Sequence, residues 1–247
     1  MFFETYTEKV WGIPCHQIGS DWAVQRIKGL SLVAAITNAI LGHQGAKSLI
    51  DEFFYPSKGP GMMWQRFVRE VKGAGGEVCF DSEALRIVHQ SGRATSVMYV
   101  DKEGRKETPV RHVISSMPVN KLVTLLDPKT PDEVLEAGRR LSYRSFVMVG
   151  LILNKSHVFS DQWIYIHSAN VRVGRIQNFK NWSSAMVPDS SKTSLGMEYF
   201  CNQGEGIWTL SDEELTALAS RELSGLGLAA QEDIIDSYVV RQPNAYP

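Results

Sequence analysis

The 247-residue sequence carries 26 basic and 27 acidic side chains for a formal net charge of -1. These charges are scattered, so no basic stripe invites nucleic acid and no polybasic flank invites an anionic membrane surface. Hydrophobic residues make up 43% of the chain, enough for a core in one large domain or two ordinary ones.

Residues 1 to 19 alternate aromatic and charged side chains before Gly12-Ile13-Pro14, which reads as an extended lead-in and turn. Glu4, Glu8 and Lys9 interrupt any apolar run there, so neither a signal peptide nor a spanning helix is expected. Ser20 or Asp21 can cap a helix with Ala23, Ile27, Leu30 and Ala34 at helical spacing, Arg26 lying on its charged face. A polar, small-residue stretch leads from Thr37 to Gly45 and on to Tyr55.

The run from Tyr55 to Pro118 carries the densest pattern. It opens on the turn Tyr55-Pro56-Ser57-Lys58-Gly59-Pro60-Gly61 and continues as an amphipathic helix from Met62 to about Lys72, with Met63, Phe67 and Val71 one per turn. Gly73-Ala74-Gly75-Gly76 stops that helix, and Glu77 to Phe80 is predicted as a short strand. Arg93 to Val100 and Val110 to Ser116 are predicted strands around a Lys102-Glu103-Gly104 turn, the second buried and ending in small residues that let backbone approach a ligand.

Val119 to Leu126 suits a short helix, and Thr130-Pro131-Asp132-Glu133 predicts another, with threonine as its cap. The texture then turns to β. Ser145 to Leu153 is a near-continuous apolar run, read as a central strand covered on both faces. Trp163 to Ile166, Val171 to Phe179 and Ser194 to Phe200 follow as strands of a mainly antiparallel sheet. Ser211-Asp212-Glu213-Glu214 is a capping box that starts a helix with Leu215, Leu218 and Ala219 inward and Gly225 or Gly227 at its end. Ile234 to Arg241 is the last strand. Cys15, Cys79 and Cys201 lack Cys-x-x-Cys spacing, which predicts three reduced, mostly buried thiols in a cytoplasmic protein.

Within Val171 to Phe179, alternation puts Val173, Arg175, Gln177 and Phe179 on one face, with Gly174, Ile176 and Asn178 on the other. A mid-strand arginine on a covered face needs a carboxylate, a phosphate or a ligand. Two readings stand side by side for Arg175: contact with a substrate, or an ion pair with Glu198 on the neighbouring strand. No nucleophile elbow, His-Glu-x-x-His or histidine pair at metal spacing occurs, so hydrolytic and metal mechanisms have no residue support.

The order of elements from Tyr55 to Pro118 resembles the second pass of the chain through the FAD domain of amine-oxidase-like flavoproteins, a group that includes protoporphyrinogen oxidase and UDP-galactopyranose mutase. The resemblance extends to Phe3 to Gly12, Asp21 to Leu30, Trp163 to Ile166, Arg175 to Phe179 and Gly196 to Phe200, and so touches nearly the whole chain. It implies an α+β fold, α/β in its cofactor part. A helical piece of a substrate domain would cover residues 1–54, a partial FAD-binding domain 55–118, a substrate domain with an antiparallel sheet and flanking helices 119–241, and a return crossing 242–247.

The resemblance places the backbone of Val78 against the adenine of FAD, and Ser115, Ser116, Met117 and Pro118 near its phosphates and ribose. Arg175, Asn178, Tyr199 and Trp64 become substrate contacts. Tyr55, Met62, Met63 and Trp64 could line an apolar wall beside the flavin, with a plain packing role as the alternative for the two methionines. The sequence departs from the family by lacking a Gly-x-Gly-x-x-Gly phosphate loop and the family's C-terminal flavin segment, so an internal piece of a longer flavoprotein is expected. Three functions follow: hydride transfer from a small-molecule substrate to flavin, a redox-neutral nucleotide-sugar isomerisation on flavin, or a cofactor-free domain that folds or binds a partner.

Overall fold

The computed structural model describes residues 4–19 and 53–246. Helix α1 spans Glu4–Trp11 and α2 spans Gly61–Gly73. Strands β1 (Glu83–Gln90), β2 (Arg93–Asp101) and β3 (Gly104–Pro109) follow. Helix α3 (Val119–Thr124), the two-residue β4 (Leu126–Asp127) and helix α4 (Asp132–Arg139) come next. The second half holds β5 (Arg144–Leu153), β6 (Trp163–Tyr165), β7 (Arg175–Asn178), the single turn α5 (Phe179–Trp182) and β8 (Thr193–Cys201), then α6 (Asp212–Gly225) and β9 (Ile234–Tyr246). The class is α+β, and the described chain divides into two units, residues 1–62 with 146–241, and residues 63–145 with 242–247.

In the first unit, a five-stranded sheet runs in the order β6-β7-β8-β5-β9, with β6–β7 and β7–β8 antiparallel. One face is dry because β-branched and aliphatic residues recur at every second position. Val147, Val149, Leu151 and Leu153 of β5 and Leu195, Met197 and Tyr199 of β8 have no exposed surface. Helix α6 covers them with Leu215, Ala219 and Leu223, also fully buried. Its start is fixed by the expected capping box: Ser211 Oγ accepts from the Glu214 N–H at 3.2 Å while Glu214 accepts from the Ser211 N–H at 2.8 Å.

The second unit is a four-stranded sheet, β3-β2-β1-β4, antiparallel except for the parallel β1–β4 contact. Helix α2 ends where Gly75 takes a φ of +83°, as the glycine run requires. No residue of α2 is buried, and Met63, Phe67 and Val71 keep 44%, 56% and 42% of their surface exposed.

Several expectations need correction. Glu77 to Phe80 and Val110 to Ser116 are not strands, and neither is buried: Phe80 is 67% exposed and Ile114 wholly so. A strand needs a ladder of hydrogen bonds to a neighbour, and among the described residues neither segment joins either sheet; the 2.9 Å bond from the Val110 N–H to the Thr95 carbonyl only closes the end of the β2–β3 pairing. The true third partner in the meander is β1, whose mixed Ala84, Arg86, Val88 pattern hid it. Residues 4–11 are helical rather than extended. There Tyr6 packs edge-on against Tyr165 at 4.7 Å, and Lys9 donates to the carbonyls of Ile166, Ser168 and Val173, so tertiary contacts override the alternation.

Pro131 rather than Thr130 occupies the cap position of α4, and no side-chain cap bond forms there. Of the cysteines only Cys201 is buried, Cys15 being intermediate and Cys79 exposed. The helix expected after Ser20, with Arg26, lies outside the described residues. No described helix is long and apolar enough to cross a membrane, and no described group of three His, Cys, Asp or Glu could hold a metal ion.

Candidate functional site

The face of the first sheet opposite α6 carries polar chemistry. Arg175 on β7 pairs directly across from Glu198 on β8. The Arg175 Nε and Nη2 donate to Glu198 Oε2 at 2.8 and 2.7 Å, and Gln177 Nε2 donates to the other carboxylate oxygen at 3.0 Å. The Glu198 side chain keeps 6% of its surface and Arg175 24%, so the carboxylate is buried and the arginine side chain partly exposed. Two donors on one oxygen and an amide on the other satisfy a charge that would otherwise be costly to bury.

Strand β6 supplies the neighbours of this pair. Tyr165 lies opposite Arg175 and Trp163 opposite Gln177. Trp163 stacks on Trp182 of α5 with ring centroids 5.1 Å apart and planes 10° apart, and Tyr55 stacks on Trp182 at 4.9 Å. Trp182 Nε1 donates to Gln177 Oε1 at 2.9 Å, so the aromatic stack and the ion pair form one connected network. The segment around Tyr55 is held there in two further ways: its hydroxyl meets Met186 Sδ at 3.7 Å, and a Cβ on Gly59 would touch the same methionine at 3.4 Å. Gly196, opposite Gln177, leaves room for the Phe179 ring, since a Cβ there would lie 2.9 Å from it.

Of the expected substrate contacts in this unit, only Arg175 stands on that face. Asn178, 1% exposed, and Tyr199, fully buried, point into the core from the same two strands. The Asn178 amide donates to the Phe159 carbonyl at 3.2 Å, pinning the loop before β6. Burial, with the Glu222 carboxylate nearby, pushes the Tyr199 phenol well above its ordinary pKa. Strict alternation also begins later than the sequence suggested. Val173 joins the core with Ile176, and a Cβ on Gly174 would strike the Phe200 ring, 2.7 Å away. Sequence reasoning missed Gln177, Trp163 and Trp182 as members of the network. The signal was present in the parity of Trp163 and Gln177 with Arg175, once the strand register is known.

The remaining candidate residues lie in the second unit. Trp64 on α2 is 62% exposed. Val78 sits half-buried in a segment outside both sheets, and Ser115 to Pro118 lie in another such segment after β3. Ser115 Oγ accepts from the Met117 N–H at 3.3 Å, a local turn that leaves the surrounding backbone groups without sheet partners among the described residues. Pro118 has no N–H and its carbonyl accepts from the Lys121 and Leu122 N–H groups at 3.0 Å, so the main-chain groups of Val78, Ser115 and Ser116 are the ones whose chemistry suits the edge of a planar, polar ring such as an adenine.

Residues 15–245 match the family described as flavin containing amine oxidoreductase. The fold is similar to that of a reduced UDP-galactopyranose mutase, at 18% identity and a TM-score of 0.76, covering 100% of this chain and 53% of that one. It is also similar to a protein assigned as a protoporphyrinogen oxidase from Exiguobacterium sp. 255-15, at 16% identity and a TM-score of 0.63, covering 89% and 45%. A putrescine oxidase variant redesigned at its cofactor site follows at 16% identity and 0.51, covering 72% and 38%. No curated protein matches the sequence significantly. The chain spans about half the length of the first two of these structures or less. The match across nearly its whole length shows that this chain belongs to the flavin-containing amine oxidoreductase family.

Proposed function

We propose that this chain is part of an FAD-dependent oxidoreductase whose phosphate-binding loop lies outside the 247 residues. The single observation that carries this reading is the family match over residues 15–245. In the proposal Val78 offers its backbone to the adenine, and Ser115, Ser116, Met117 and Pro118 lie along the ribose and phosphates. The flavin, when bound, accepts hydride from the substrate. The protein's own task is then to orient the substrate and exclude water, which suits a site without an acid-base signature. Arg175 is the substrate contact, with Asn178 and Tyr199 supporting its strands from the core side and Trp64 lining an apolar wall in the other unit.

A second reading is a redox-neutral nucleotide-sugar isomerase that also depends on flavin. It draws support from the mutase-like fold along the whole chain and from the position of Arg175. The entire gene product should purify with visible flavin absorbance, and a colourless, FAD-refractory protein would reject both readings in favour of a cofactor-free domain. Amine oxidation against nucleotide-sugar turnover under reducing conditions separates the two. An Arg175→Ala variant with undiminished substrate affinity would remove the assignment of Arg175.

A further inference from the structure

The second unit gathers positive charge at one end of its sheet. Strands β1 and β2 are joined through Ser91 and Gly92, at φ of +50° and +74°, a tight turn that pairs Gln90 with Arg93 and His89 with Ala94. The Val110 N–H donates to the Thr95 carbonyl at 2.9 Å, which brings Arg111 and His112 to the same end. His89, Arg93, Arg111 and His112 all line one cavity of about 1210 Å³, and every residue of its lining belongs to this unit.

No aspartate or glutamate lines that cavity. Among the described residues neither Arg93 nor Arg111 forms an ion pair, so two guanidinium groups share one space with no counter-charge, an arrangement that an anion between them relieves. The planar guanidinium fork matches the oxygens of a phosphate. Thr130 also lines the cavity, and its hydroxyl is enclosed without a hydrogen-bond partner among the described residues, a polar group left for a ligand to satisfy. The rest of the lining includes Ile87, Leu122 and Leu126. Cationic groups beside an aliphatic surface suit a ligand with an anionic head and an apolar body. Of the residues proposed to lie along FAD, Ser115 lines this cavity, whereas Val78, Ser116, Met117 and Pro118 do not.

We infer that this cavity binds a phosphate monoester with an apolar body, a ligand other than FAD, and that Arg93 and Arg111 hold its phosphate.

The test is calorimetric titration of the full chain with phenyl phosphate, with uncharged benzyl alcohol as the control. Phenyl phosphate should bind at least about tenfold more tightly than benzyl alcohol, and Arg93→Gln/Arg111→Gln should lose at least about tenfold in phenyl phosphate affinity. Arg69→Gln, which removes a charge from α2 outside the cavity, should leave that affinity unchanged. If the double variant does not fold, the single variants Arg93→Gln and Arg111→Gln should each lose about threefold or more, and an unchanged affinity in either folded single variant overturns the inference. No binding of phenyl phosphate, or an equal loss in Arg69→Gln, also overturns it. Titration in the presence of millimolar FAD should give the same phenyl phosphate affinity; displacement by FAD would overturn the inference and assign the cavity to the cofactor, leaving the proposal of an FAD-dependent protein intact.

Discussion

The backbone N–H of Val173 donates to Glu222 Oε2 at 2.9 Å, and the carbonyl of the same residue accepts from Lys9 Nζ at 3.0 Å. A loop residue that leads into β7 is thus gripped by α6 through its donor and by α1 through its acceptor. Glu222 also takes the Arg172 N–H at 2.6 Å, and Lys9 also takes the carbonyls of Ile166 and Ser168. These two charges satisfy backbone groups that have no sheet partner at that point, and they hold the segment that places Arg175.

Replacing Glu222, 8% exposed, by leucine strands the buried Val173 N–H and the part-buried Arg172 N–H. The expected cost is about 3 kcal/mol, read as a lower urea midpoint with an unchanged slope. Lys9→Met should cost less, because burial already lowers the Lys9 pKa and so disfavours its charged form.

The pair Arg175 and Glu198 should show the asymmetry of buried ion pairs. Arg175→Met leaves the Glu198 carboxylate with Gln177 as its remaining side-chain donor among the described contacts, and should lose about 3 kcal/mol. The double variant Arg175→Met/Glu198→Leu should recover most of that loss, as measured by chemical denaturation. A double variant no more stable than Arg175→Met would show that the pair holds the fold by more than mutual charge compensation.

Gly150 on β5 is required by a neighbour rather than by its backbone. A Cβ there would lie 2.0 Å from the Tyr238 ring on β9. Gly150→Ala should destabilise by about 1–3 kcal/mol through overpacking, and should be close to neutral in a Tyr238→Ala background. A double-mutant cycle with no coupling would contradict the contact.

Asp233 provides a pH signature. Hydrogen bonding from the Ala230 N–H, helped by Lys155, holds its carboxyl below the ordinary value of 3.8. A carboxyl depressed in the folded state contributes stability that is present above about 3.8 and lost as pH falls through the folded value. Between pH 5 and strongly acid solution, the melting temperature of Asp233→Asn should therefore fall less than that of the wild type.

Where hydrophobic period or capping chemistry decides the outcome, the sequence was legible. The apolar run of β5, the Ser211 capping box of α6, the glycine stop of α2 and the antiparallel run β6-β7-β8 all follow from local pattern. Failures occurred where a partner decides. Val110 to Ser116 has the composition of a buried strand, yet composition cannot supply a neighbouring strand. Residues 4–11 alternate like a strand, yet Tyr6 and Lys9 find partners that only a helix delivers. In the site, the Arg175–Glu198 pairing was one of two stated readings, whereas Trp182 was invisible because its link to Gln177 spans a turn of unpredictable geometry.

The central proposal is that the irregular segments at Val78 and at Ser115 to Pro118 hold the adenine half of FAD. The most direct measurement is a backbone amide NMR titration of the chain with FAD. The account predicts progressive shifts concentrated at the amides of Val78, Ser115, Ser116 and Met117, with smaller changes across the sheet of β5 to β9. Shifts that spare all four of those amides while appearing elsewhere, or no shifts at millimolar FAD, would contradict it.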